Sequence, residues 1–113
     1  MQQISVKEVA RKLAENKSFV LLDVREPDEL KLAHLDNPHV FLAPVSRIAR
    51  FGLDALPPEA RDPAQEIVVF CHVGSRSQQI ALWLSRQGWK NVASMEGGLN
   101  AYAMQVDPSV GRY

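Results

Sequence analysis

Two short, almost uninterrupted apolar runs constrain the fold of this chain more than any other feature. The first is Phe19–Val24, interrupted only by Asp23, and the second is "EIVVFC", which ends at Cys71. Strands that are buried on both faces have this composition, and they occur chiefly in parallel sheets whose faces are covered by helices. We therefore expect both runs to be central strands of a parallel sheet.

Helical patterns lie between these runs. Residues 5–16 begin with Ser5 and have Glu8 three positions later, the spacing of a capping box, and apolar residues then recur at helical intervals. A second helix is predicted from Ser77 to Gln87, with the Ser77 hydroxyl as its N-cap. Further segments predict a short helix over 27–34, a strand over 40–42, a strand in "NVASM" and a closing helix in "LNAYAMQV".

The alternation of strands and helices predicts the α/β class. Parallel strands need crossover connections, which put helices on both faces of the sheet. We expect a central, mostly parallel sheet of four to five strands between two helical layers. A length of 113 residues with 46% hydrophobic and 23% charged residues fits one globular domain, 1–113.

Charge and cysteine content narrow the function classes. Thirteen basic and thirteen acidic side chains cancel, and neither sign is clustered, so the broad positive field of a nucleic-acid-binding protein is absent. A single cysteine cannot form an internal disulfide, which favours a reducing compartment. The N-terminal segment carries charges every few residues, unlike a signal peptide or a membrane-spanning helix. We expect a cytoplasmic protein with no nucleic-acid or membrane partner.

Cys71 ends the second apolar run and precedes a short polar loop and a helix. In open α/β sheets, ligands bind past the carboxyl ends of the strands, where loop amides and helix N-termini converge. These groups and the nearby Arg76 favour a thiolate over a thiol. Gly74 allows a tight turn around an anion, and Ser75 and Ser77 add hydroxyl donors. The segment suits a nucleophilic sulfur. A thiol sealed in the interior, or one that titrates like a free amino acid with no donors aimed at it, would contradict this.

Structural interpretations compete with this one. A cysteine after an apolar strand is most often a small buried hydrophobic residue. Only its combination with Gly74, Arg76 and Ser77 between a strand and a helix favours a site. His34 and His39 suggest metal binding, but no second set of ligands at suitable spacing accompanies them, so no metal is expected.

Three segments resemble the rhodanese family. "CHVGSRS" is similar to its active-site loop, in which a cysteine, two variable residues, a glycine and another variable residue precede arginine and serine or threonine. "MEGGLNAYA" resembles its closing turn and helix, and "LLDVREPDEL" resembles the segment that follows a central strand. The resemblance runs from about Ile4 to Tyr102 and implies a rhodanese-like three-layer fold, with residues 104–113 as a C-terminal extension.

The resemblance implies sulfur transfer without a cofactor. Cys71 would be the catalytic nucleophile that takes sulfur from thiosulfate or a related small donor. Its persulfide would then pass to cyanide, a thiol or a partner protein in a sulfur relay. The substrate-binding and persulfide-binding loop would comprise His72, Val73, Gly74, Ser75, Arg76 and Ser77. The scaffold that supports this loop would comprise Asp23, Arg25, Glu26 and Glu29.

The residues leave two roles open. Arg76 suits bidentate pairing with a carboxylate such as Glu26 or Glu29, which we favour, or a direct electrostatic effect on Cys71. Many thiosulfate-preferring relatives have a basic residue directly after the cysteine, where this chain has His72, so the sequence does not fix the donor.

Three alternative functions remain. Phosphatases and arsenate reductases on this scaffold seat an oxyanion in a loop one residue longer than the four residues between Cys71 and Arg76 here, which disfavours them. A persulfide carrier that serves a partner protein needs the same loop as an enzyme. An inert scaffold domain is the third alternative, although such relatives commonly lose the cysteine.

Overall fold

The computed structural model describes residues 2–113 as an α/β protein with one five-stranded sheet. The strands are β1 (Gln2–Ile4), β2 (Val20–Asp23), β3 (Val40–Leu42), β4 (Ile67–Phe70) and β5 (Val92–Met95). Their order is β1-β5-β4-β2-β3, and every pair is parallel. The two apolar runs are therefore inner strands, as predicted, and all their residues within β2 and β4 are buried. The structure adds that β2 and β4 are neighbours. Strand β1 was not predicted, because a polar edge strand has no apolar run.

Four α-helices cover the sheet: α1 (Val6–Ala14), α2 (Val45–Phe51), α3 (Ser75–Arg86) and α4 (Gly98–Gln105). Short 3-10 turns lie at Pro27–Lys31, Gly52–Ala55, Pro58–Ala60 and Pro108–Val110. Buried residues of α1 and α4 share one core cluster, and those of α2 and α3 share another. Because these clusters lie on opposite faces of the sheet, the structure has the three layers that the sequence predicted.

The alternation of side chains along β4 divides the core between the two faces. Val68 and Phe70 pack with α1 and α4, whereas Ile67 and Val69 pack with α2 and α3. Cys71 continues the second set and lies under α3. Trp89 closes the same side, with its indole Nε1 donating to the carbonyl oxygen of Ala60 at 2.9 Å.

Two predicted boundaries were wrong. Helix α3 begins at Ser75, because Gly74 takes a positive φ of 108° and is the N-cap, so Ser77 lies inside the first turn. The helix predicted over 27–34 is a 3-10 turn that ends at Lys31. Helix α4 ends at Gln105, so it overlaps the first two residues of the expected extension, 104–113, and the segment beyond α4 begins at Val106.

Among the described residues, no helix combines the length and apolar character that crossing a membrane requires.

Candidate active site

The candidate site lies where β2, β4 and β5 end at one edge of the sheet. Asp23 at the end of β2 is paired in register with Phe70 at the end of β4. The residue that follows each strand is therefore near the same point, as the carboxyl-end rule for parallel sheets predicts. Cys71 follows β4 directly and occupies the centre of this edge.

Two backbone amides are directed at the sulfur of Cys71. The N–H groups of Gly74 and Ser77 donate to Sγ at 3.1 and 3.4 Å, and the thiol donates to Ser77 Oγ at 3.6 Å. The residue has no exposed surface, although the sequence pattern suggested the mouth of a loop. The thiol is thus sealed in the interior, which counts against the expectation of an accessible nucleophile, whereas the two amides aimed at it agree with the expected donors.

The loop depends on glycine at two positions, Gly74 and Gly98. Gly74 has the left-handed φ of 108° that lets the chain turn from β4 into α3. At Gly98, a Cβ atom would lie 2.4 Å from the carbonyl oxygen of His72. This contact lets the first amides of α4 bind the loop: Leu99 N–H donates to Cys71 O at 2.8 Å, and Asn100 N–H donates to His72 O at 3.0 Å. The "EGG" segment therefore fixes the start of the loop.

A second buried serine supports Ser77. The Ser77 hydroxyl donates to Gly74 O at 3.0 Å and lies 2.7 Å from the hydroxyl of Ser94 in β5. Both serines are almost wholly buried. Sequence reasoning missed Ser94, although its position was informative: it lies two residues after Val92, on the same inward face of a strand.

Arg76 forms a bidentate ion pair with Glu29 of the 3-10 turn after β2. Nη1 donates to Oε2 at 2.7 Å and Nη2 donates to Oε1 at 2.9 Å. This pairing lowers the pKa of Glu29 from 4.5 to about 2 and raises the pKa of Arg76. Glu29 also accepts the backbone N–H of Glu26 at 2.8 Å. Glu26, the other carboxylate that the sequence offered, instead accepts the hydroxyl of Ser46 at 2.6 Å.

Asp23 and Arg25 form a buried ion pair at the end of β2. Arg25 has no exposed surface, and its Nη2 donates to Asp23 Oδ2 at 2.9 Å. Its Nη1 donates to the carbonyl oxygen of Ala33 at 2.7 Å. Burial opposes the charge, but the hydrogen bonds to Asp23 and Tyr113 outweigh it and raise the pKa of Arg25. The pair fixes the backbone beside the loop and does not touch Cys71.

The remaining loop residues have different surroundings. Val73 is 53% exposed at the outer edge of the loop, and Ser75 is exposed at the start of α3. The imidazole of His72 stacks on Tyr113, with ring centroids 3.8 Å apart and an angle of 9° between the planes. Sequence reasoning missed Tyr113, since no local pattern connects it to the loop.

Within residues 2–113, no group of three or more His, Cys, Asp or Glu side chains is arranged to hold a metal ion.

Comparison with known proteins identifies the family. The sequence matches the family described as "Rhodanese-like domain" over residues 5–105. The chain belongs to the rhodanese-like family. It is 40% identical over 93 residues to rhodanese-like/PpiC domain-containing protein 12 of Arabidopsis thaliana, a match that covers 82% of this chain and 30% of the relative. The rhodanese-like chain thus spans under a third of that relative's length.

A single-domain relative and a solved structure also match this rhodanese-like chain. The thiosulfate sulfurtransferase GlpE of Pseudoalteromonas translucida is 27% identical over 100 residues, covering 88% of both chains. The solution structure of a polysulfide-sulfur transferase homodimer from Wolinella succinogenes superimposes with a TM-score of 0.73 at 27% identity, covering 93% of this chain and 74% of the other. These relatives agree with a sulfurtransferase family and a rhodanese fold.

Proposed function

We propose that this protein transfers sulfane sulfur through a persulfide on Cys71. The observation that carries the proposal is the pair of amides, from Gly74 and Ser77, that point at Sγ. Amides fixed in this way stabilise negative charge on sulfur without rearrangement during the reaction. They serve the attacking thiolate of Cys71.

The reaction has two displacement steps. The thiolate attacks the outer sulfur of thiosulfate or a related donor, a new S–S bond forms, and the donor's own S–S bond breaks as sulfite leaves with the electron pair. A thiol, cyanide or a thiol on a partner protein then attacks the terminal sulfur of the persulfide. The S–S bond at Cys71 breaks, and the thiolate is restored without a cofactor.

Loop size and burial favour sulfur over phosphate as the transferred group. Only four residues separate Cys71 from Arg76, and the guanidinium of Arg76 is engaged by Glu29 on both Nη atoms. Cys71 has no exposed surface, so the loop must open before a donor can reach the sulfur, and a donor that presents one sulfur atom needs a smaller opening than a phosphate. A lone thiol also suits a reducing compartment, so we propose that the reaction takes place in the cytoplasm.

A persulfide carrier in a relay is the second candidate. It is favoured by the position of His72. The imidazole is stacked on Tyr113 and is therefore poorly placed to bind the sulfonate group of free thiosulfate. Slow turnover with thiosulfate but rapid labelling of Cys71 by a protein-borne persulfide would select the carrier over the enzyme.

Intact mass spectrometry after exposure to thiosulfate tests the proposal. We expect the wild type to gain one sulfur atom, to lose it again when cyanide is added, and to hydrolyse no generic aryl phosphate. Cys71→Ser should fold, since the volume change is small, and should gain no sulfur. Full transfer activity in Cys71→Ser, or hydrolysis of the phosphate without sulfur uptake, would contradict the assignment.

A further inference from the structure

The segment beyond α4 returns to the candidate active site, and its last residue contacts three site residues. We propose that Tyr113 is a positioning residue for sulfur transfer: it holds Glu29, and through it Arg76, and also His72 in place around the Cys71 loop. The inference rests on the proposed function, and it assigns a role to a segment that the sequence indicated only as an extension.

The path of this segment is fixed by packing. Val110 is buried against the core under α4, and its carbonyl oxygen accepts the N–H of His34 at 2.9 Å. Gly111 has a φ of 90°, and a Cβ atom there would lie 3.0 Å from the carbonyl oxygen of Leu32. Arg112 Nε donates to Asn100 Oδ1 at 3.2 Å. Tyr113 therefore reaches the site on a supported backbone.

The hydroxyl of Tyr113 joins the two ion pairs of the site. It donates to Glu29 Oε1 at 2.9 Å and accepts from Arg25 Nη1 at 3.2 Å. The same Oε1 also accepts Nη2 of Arg76. Because Glu29 alone anchors both Nη atoms of Arg76, a hydroxyl that fixes the carboxylate also fixes the first turn of α3.

The ring and backbone of Tyr113 hold the residue that follows the nucleophile. The phenol ring lies parallel to the imidazole of His72, and His72 Nε2 donates to the main-chain oxygen of Tyr113 at 2.7 Å. Tyr113 thus holds the loop at its second residue and, through Glu29, at its sixth. The amides of Gly74 and Ser77 that point at the sulfur lie between or beside these two supports.

Such supports act on rate, since donors already aimed at the sulfur need no reorganisation in the transition state. A loop released at both ends would sample conformations in which the amides turn away from Sγ. The expected consequence is a lower kcat, with a smaller change in KM.

The test compares Tyr113→Phe and Tyr113→Ala with Tyr102→Phe in the sulfur-transfer assay. Tyr102 is the only other tyrosine in the sequence and lies in the core with Leu99 and Ala103, so it is a matched control. Tyr113→Phe keeps the ring over His72 and removes the hydroxyl. We expect kcat to fall about tenfold, the size of one lost hydrogen bond to a charged group, and to fall further in Tyr113→Ala.

Hydrogen exchange at the amides of Gly74 and Ser77 provides a readout besides activity. We expect faster exchange at both amides in Tyr113→Phe and wild-type exchange in Tyr102→Phe. Wild-type kcat in Tyr113→Phe would overturn the inference, and so would a lower kcat with unchanged exchange, because the effect would then not pass through the loop. If Tyr113→Ala fails to fold, Tyr113→Phe still decides the question.

The wild-type protein separates failure of this inference from failure of the proposed function. A wild type that takes up no sulfur from thiosulfate or a protein persulfide overturns the proposed function and this inference with it. A wild type that transfers sulfur, together with a Tyr113→Phe variant equal to it, overturns the inference alone.

Discussion

Arg76 and Glu29 form a bidentate ion pair across 47 positions of sequence, with N–O distances of 2.7 and 2.9 Å. The pair joins the first turn of α3 to the 3-10 turn after β2, and so it closes one side of the loop that holds Cys71. Its geometry needs the planar fork of a guanidinium, which a single ammonium group cannot reproduce.

Arg76→Lys should therefore weaken both the loop and sulfur transfer. The variant keeps the charge but loses one of two parallel hydrogen bonds to Glu29, and we expect the free energy of unfolding to fall by about 1 kcal/mol for this partly exposed pair. Denaturant unfolding and the transfer assay measure the two effects. Arg86→Lys at the exposed end of the same helix is the control, and equal activity in both variants would show that the fork is dispensable.

The same pair predicts a pH dependence of stability. Arg76 lowers the pKa of Glu29 from 4.5 to about 2. The stability that this carboxylate contributes to the folded state is therefore fully present above a pH of 4.5, the pKa of Glu29 in the unfolded chain. It is lost as the pH falls through about 2, because the unfolded state binds the proton first. We expect the difference in stability between wild type and Glu29→Gln to shrink between these two values in denaturant titrations. A difference that stays constant over this range would contradict the pairing.

Gly98→Ala should disrupt the loop from the opposite side. The added Cβ would lie 2.4 Å from the carbonyl oxygen of His72, at a position with a φ of 64°. Strain and displacement of backbone together are expected to cost at least about 2 kcal/mol of stability, with loss of sulfur transfer. Gly88→Ala is a matched control, since φ there is also positive but no atom lies within 4 Å of the new Cβ. Equal losses of activity in the two variants would refute the role of the close contact.

Ser94→Ala tests the hydroxyl pair behind the sulfur. Ser77 donates its one proton to Gly74 O, so the hydroxyl of Ser94 donates to Ser77 Oγ and holds that oxygen where it accepts the thiol of Cys71. Alkylation of Cys71 by iodoacetamide should slow roughly twofold in Ser94→Ala and more in Ser77→Ala. The double variant should react no more slowly than Ser77→Ala, because Ser94 acts only through Ser77. Additive effects in the double variant would show that Ser94 acts by another route.

The elements that carry the fold could be predicted because their information is local. A strand buried on both faces must be apolar throughout, as Val20–Leu22 and Ile67–Phe70 are, and a helix with one buried face must repeat its apolar residues at helical intervals. The predicted start of α3, Ser77, was two residues too late. Both a serine cap and a glycine with positive φ can begin a helix, and in the structure Gly74 is the N-cap. Edge strand β1 has polar residues at Gln2 and Gln3, so it has no apolar run from which a strand could be predicted.

The sequence by itself determined the α/β fold class, the inner strands and the cysteine-to-arginine spacing of the candidate loop, since each depends on the order of neighbouring residues. Only the tertiary structure decided that Glu29 rather than Glu26 pairs with Arg76, that Ser94 lies behind Ser77, and that Tyr113 packs on His72. These contacts join segments far apart in the chain, and they form only when the sheet order and the packing of its helices bring those segments together. The same packing buries Cys71 while turning two amides toward it.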